Sequence, residues 1–83
     1  MSITALKAFQ NNYIWVIQQM SSFICIDPGD SIPVLKFAEE HNIPLSTILI
    51  THYHQDHVGG VEQLMQHFPD AALYEPSKHL QSF

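Results

Sequence analysis

A mixed α/β (α+β) fold is what this 83-residue sequence predicts, and three observations carry that expectation. Short runs rich in Ile, Val, Trp and Tyr alternate with polar turns near the amino terminus, the signature of strands joined by tight connections. Val61, Leu64, Met65 and Phe68 fall at i, i+3, i+4 and i+7, the spacing of one apolar helical face. Between these regions an apolar run at 45–50 feeds directly into a loop dense in histidine.

Taken in order, residues 3–9 and 13–18 read as strands, with Gln10-Asn11-Asn12 as the turn between them. Residues 22–26 read as a third strand, reached through Gln19-Met20-Ser21, so the three form an antiparallel meander. Asp27-Pro28-Gly29-Asp30 breaks the strand, and Asp30 or Ser31 is placed to cap a helix running to about Asn42. Pro33 is tolerated there because it falls in the first turn, and Pro44 blocks continuation. A strand at 45–50, a loop at 51–59, a helix at 60–68 and a short strand from Ala71 to Tyr74 complete the series.

The loop Thr51-His52-Tyr53-His54-Gln55-Asp56-His57-Val58-Gly59-Gly60 is where the chemistry lies. Imidazole and carboxylate are ligands suited to zinc and its divalent neighbours. In an extended segment, side chains two apart share a face, so His52 and His54 converge just past a strand end. Asp56 and His57 are adjacent and need a turn, for which Gly59-Gly60 offers backbone freedom. The simplest geometry is two ligand pairs serving two neighbouring metal ions. A merely polar loop is the plainer reading, but His41, His67 and His79 are scattered while these three are clustered at one strand end.

With these flanks the motif resembles a known family. His52-x-His54-x-Asp56-His57 followed by Gly-Gly is similar to the metal-binding signature of the metallo-β-lactamase superfamily. Ala8 to Val16 (with Asn11-Asn12-Tyr13-Ile14-Trp15), Ile26-Asp27-Pro28-Gly29-Asp30 and Val58 to Val61 are similar to the amino-terminal part of bacterial glyoxalase II, the hydroxyacylglutathione hydrolases. Asn11 departs from the family, which usually carries Asp there. The resemblance implies an αββα sandwich of two similar halves, of which residues 1–83 supply the first, incomplete part.

It further implies hydrolysis of S-D-lactoylglutathione, or a related S-(2-hydroxyacyl)glutathione, to glutathione and the 2-hydroxy acid, a step of methylglyoxal detoxification. His52 and His54 would ligate one Zn2+, Asp56 and His57 a second, with iron or manganese as alternatives. Asp56 would also help orient the nucleophile, the catalytic role assigned to it. Two neighbouring divalent ions lower the pKa of a water towards neutrality and polarise a carbonyl, so no serine or cysteine nucleophile is required. A catalytic zinc normally has three protein ligands plus an open position, and this loop offers two per metal. The family's remaining ligands, a histidine for each metal and a bridging aspartate, lie downstream of Phe83, as do its glutathione-holding residues. The chain therefore reads as the amino-terminal third of a hydrolase, binding metal weakly and turning over little by itself. Within the superfamily, β-lactam hydrolysis, single-iron persulfide dioxygenation and nucleic-acid cleavage use related loops. A truncated, non-catalytic metal-binding remnant is the non-enzymatic alternative.

Composition narrows the classes. A chain of this size buries only about 60–65% of its extended surface, so one small domain is the upper bound. Hydrophobic residues make up 46% and charged residues 13%, a globular balance. The net charge of −5, with Lys7, Lys36 and Lys78 the cations, argues against nucleic acid and anionic membrane surfaces as partners. No run approaches the ~20 apolar residues a membrane span needs, and no secretory signal opens the sequence. The single cysteine, Cys25, fits a reducing compartment, and cytoplasm is the expected location. The expected partner is a small glutathione thioester. The expected assembly is a monomer for a full-length protein and an association-prone species for half of a sandwich, whose sheet face would be bare.

The remaining residues have structural readings. Asp27 suits a turn, with a bond accepted from a ligand histidine, fixing its tautomer, as the functional alternative. Tyr13 and Trp15 share one strand face and suggest core or interface packing rather than substrate contact. Cys25 alternates with Phe23 as a buried small hydrophobe. His41 sits near a helix carboxyl end.

Overall fold

The computed structural model describes residues 2–8, 12–51 and 59–75. Strand β1 (Ser2–Ala8) pairs antiparallel with β2 (Asn12–Gln18), and β2 with β3 (Phe23–Ile26), which is the expected meander. The turn expected at Gln10-Asn11-Asn12 lies largely outside the described residues. Helix α1 (Ser31–His41) then carries the chain to β4 (Leu45–Leu49), which pairs parallel with β3. Helix α2 (Val61–His67) makes a second crossover to β5 (Ala72–Tyr74), parallel to β4. The sheet order β1-β2-β3-β4-β5 therefore follows the chain, antiparallel in its first half and parallel in its second. That change is forced by the connections: short turns join antiparallel strands, whereas parallel neighbours need a crossover such as a helix.

Local chemistry sets the boundaries of α1. Asp30 is extended at the N-cap, and its Oδ1 accepts from the Ile32 N–H at 3.1 Å. Asn42, in the left-handed region at φ 54°, closes the helix with its N–H donating to the Ala38 carbonyl. His41 in the last turn has Nδ1 3.0 Å from the Phe37 carbonyl oxygen and stacks on the Phe37 ring, with centroids 4.0 Å apart. Its ring is thus tied to its own helix, the plain structural role expected of it.

Both helices cover the same sheet face. Ile14, Val16, Phe23, Cys25 and Ile48 from the strands form one buried cluster with Val34 and Phe37 of α1 and Leu64 of α2. Phe23 and Phe37 meet edge-on at 5.0 Å and 63°. Burying side chains of this size contributes roughly 1.5–3 kcal/mol each.

Among the described residues, the opposite face has no such cover. Tyr13 and Trp15 are 54% and 49% exposed, and Ile3 and Tyr74 are exposed with them, while Ile24 and Ile26 are half-buried. Register aligns these residues: Trp15 pairs with Ile26 and Ala5, and Ile17 with Ile24 and Ile3. Core packing of Tyr13 and Trp15, one of the two expectations for them, is therefore not met among the described residues. They do share one face, as their spacing requires, and that face is apolar and open.

Cys25 is fully buried between β2 and β4, as its alternation with Phe23 implied. Burial pushes its thiol from the ordinary 9.0 up to about 12, and the nearby Asp27 carboxylate adds to the rise. The native thiol stays protonated while the unfolded one ionises. Stability from this residue is thus intact below pH 9 and is lost as pH climbs through the window from 9 to about 12. Within that window the expected slope is about 1.4 kcal/mol per pH unit. Urea titrations of wild type and Cys25→Ala across this range should differ by that slope. Equal slopes would contradict the burial argument.

Candidate metal centre

The loop that carries the expected ligands springs from the carboxyl end of β4, beside the carboxyl end of its parallel neighbour β3. Crevices outside the carboxyl ends of strands are where open α/β sheets bind ligands. His52, His54, Asp56 and His57 lie outside the described residues, but both ends of their loop are described. Each end is fastened to the same short turn.

That turn is Asp27-Pro28-Gly29-Asp30, which ends β3. The Asp27 N–H donates to the Leu49 carbonyl at 2.8 Å, so the turn starts in register with β4. Asp27 then adopts φ 54°, a left-handed conformation uncommon outside glycine and tolerated best by Asp and Asn. Its Oδ1 accepts the Thr51 N–H at 2.8 Å, and its Oδ2 accepts the Thr51 hydroxyl at 2.5 Å. Thr51 is the residue immediately before His52. The turn role expected of Asp27 is thus observed, and its carboxylate engages Thr51; the bond from a ligand histidine expected as its alternative concerns residues outside the described ones.

The exit of the loop meets the other side of the same turn. The Gly60 N–H donates to the Pro28 carbonyl at 2.9 Å. Gly60 has φ −94° and ψ −4°, an ordinary backbone conformation. Conformational freedom, the role expected for it from sequence, is therefore not why glycine is needed at 60. Close approach is. A Cβ there would lie 2.6 Å from the Ser31 nitrogen, 2.7 Å from the Asp30 carbonyl carbon and 2.8 Å from the Pro28 oxygen. One turn further into α2, Gln63 accepts a hydrogen bond from the buried Ser31 hydroxyl.

The other described histidines have contacts within their own helices or helix ends. His41 is bound to α1, and His67 is exposed at the end of α2 with its ring against Phe68. His79 lies outside the described residues. Among the described residues, no group of three or more His, Cys, Asp or Glu is placed to hold a metal. The donor set of the loop itself, three imidazoles and a carboxylate, does suit a divalent ion of the zinc type. Sequence reasoning missed the Ser31–Gln63 and Gly60–Pro28 contacts.

Comparison with known proteins decides the family. The sequence profile of the metallo-beta-lactamase superfamily matches residues 8–83. The chain belongs to that superfamily. It is similar to proteins named hydroxyacylglutathione hydrolase, 47% identical over 74 residues to that of Haemophilus ducreyi and 44% identical over 79 residues to that of Salmonella paratyphi B. These alignments cover 89% and 94% of this chain but 32% of each relative, so the chain spans about a third of the length of the curated relatives it matches. Among solved structures it resembles the BLEG-1 B3 metallo-beta-lactamase, with a TM-score of 0.75, 20% identity, and coverage of 86% of this chain and 35% of that one. That likeness establishes the fold: the five strands and two helices of the described residues form part of a metallo-beta-lactamase fold. Membership of this superfamily also implies divalent metal binding. No helix among the described residues is long and apolar enough to cross a membrane.

Proposed function

We propose that the chain belongs to a metal-dependent thioester hydrolase acting on S-(2-hydroxyacyl)glutathione, with S-D-lactoylglutathione as the representative substrate. The observation that carries this reading is the 44–47% identity to hydroxyacylglutathione hydrolases over a segment that includes the complete His-x-His-x-Asp-His loop. His52 and His54 would hold one ion and Asp56 and His57 the second, zinc being favoured by the donor set and iron or manganese the alternatives. When bound, the metal pair supplies Lewis acidity and a water activated near neutral pH. Asp56 orients the nucleophile. Asp27 and Thr51 fix where the ligand run begins, and Gly60 fixes where it ends. A catalytic zinc normally has three protein ligands, so two per ion leave the site to be completed by residues beyond this segment. The absence of a cluster of cations and the single buried thiol support a small-molecule substrate in the cytoplasm.

The test is hydrolysis of S-D-lactoylglutathione by the protein as its own cell produces it, followed by thiol release. Turnover at rates typical of enzymes is expected, and a metal-loaded protein that leaves the thioester intact would overturn the proposal. The 83-residue chain by itself is expected to show no more than background hydrolysis.

Its open sheet face leads to a companion expectation. With Ile3, Tyr13, Trp15 and Tyr74 exposed on one side, the isolated chain should self-associate. Light scattering coupled to gel filtration should report species larger than 9.5 kDa, shifted towards monomer by Trp15→Glu. A sharp monomer peak from the unsubstituted chain would contradict this.

A further inference from the structure

We infer that the 27–31 turn is a clamp on both ends of the ligand loop, and that Asp27 and Thr51 are positioning residues that set metal affinity through it. The inference rests on the reading of residues 52–57 as metal ligands.

Two contact sets, separated by the whole loop, converge on five consecutive residues. At the entry, both carboxylate oxygens of Asp27 engage Thr51, one through the backbone N–H at 2.8 Å and one through the hydroxyl at 2.5 Å. At the exit, the Pro28 carbonyl takes the Gly60 N–H at 2.9 Å, and Ser31 donates to Gln63. The turn itself is anchored. Asp27 is bonded to Leu49, Pro28 is fully buried, and Asp30 caps α1. Loop ends held at fixed points on one rigid turn lower the conformational freedom that four ligands must give up on binding. Ligation therefore begins from an arrangement already restricted at its margins. The hydroxyl of Thr51 adds a second bond to a backbone contact any residue could make, so its loss should be felt in the loop rather than in the core.

The left-handed backbone at residue 27 dictates the choice of variants. Asp27→Gly deletes the carboxylate at a φ glycine adopts without strain, whereas alanine would mix strain with the lost contact. Thr51→Val deletes the hydroxyl and keeps the shape, and Thr51→Ser keeps both bonds. Zinc affinity of the protein as its own cell produces it, stripped of metal and titrated against a chromophoric chelator, is the readout. Loss of the contacts that orient metal ligands typically weakens affinity about 10- to 100-fold, and that is the range expected for Asp27→Gly. Thr51→Val should lose about tenfold within the same range, and Thr51→Ser should restore it. Ile48→Val, in the core, should lower Tm and leave zinc affinity unchanged.

Asp27→Gly and Thr51→Val proteins that bind zinc as tightly as wild type would overturn the clamp. So would a weakening that Ile48→Val reproduces at equal loss of Tm. Should the wild type bind no zinc, the metal reading itself fails, and amide exchange decides the clamp separately. In that case Thr51→Val must speed exchange at Gly60 relative to the α1 amides, and equal exchange overturns it.

Discussion

Replacing His54 with alanine is expected to release the ion it shares with His52 and lower thioester hydrolysis by about a thousandfold or more. The magnitude follows from the chemistry the ion supplies: Lewis-acid stabilisation is worth several kcal/mol, and each 1.36 kcal/mol is about tenfold in rate. His67→Ala is the matched control, because His67 is exposed on α2 and lies outside the ligand run in sequence. It should retain metal and activity. Circular dichroism should show both variants folded, since the buried cluster of the described residues is built from the strands and helices without either histidine. A His54→Ala protein that keeps that ion would remove the loop from the account.

Gly60→Ala is expected to be the most damaging single-methyl change in the described part of the chain. The atoms a methyl would meet are backbone atoms of residues 28, 30 and 31, none of them the free end of a flexible side chain. Backbone must therefore move, either α2 away from the turn or the turn away from the sheet. Overpacking of this kind typically costs about 1–3 kcal/mol, and the upper part of that range is expected here. Chemical denaturation of wild type and variant measures it, with an unchanged m-value indicating that only stability has shifted. Gly59→Ala is the comparison. Residue 59 is exposed, so a loss confined to residue 60 separates close approach from the general stiffening of two glycines.

The same position shows where sequence reading stops. Element order was legible because each signal is local. The periodicity of Val61, Leu64, Met65 and Phe68 needs only eight residues, and the caps at Asp30 and Asn42 need four or five. The requirement for glycine at 60 arises from residues thirty positions away, and nothing near Gly60 in sequence distinguishes close approach from flexibility. Strand β2 shows a second limit. Tyr13, Trp15 and Ile17 alternate with Ile14 and Val16, and both sets are apolar, so the pattern cannot say which one faces the helices. The structure buries Ile14 and Val16 and leaves Tyr13 and Trp15 open. In the candidate site, the donor set was legible because imidazole and carboxylate at alternate positions past a strand end are themselves the signal. The contacts of Asp27 with Thr51 were not, because strand pairing across α1 had first to bring residues 27 and 51 together.

Metal content of the protein taken from its own cell, measured by native mass spectrometry with ions retained, tests the central claim most directly. The account predicts two divalent ions per chain and loss of the ion held by His52 and His54 in the His52→Ala and His54→Ala variants. A wild-type protein that carries no metal, or one that keeps both ions through both substitutions, would contradict it.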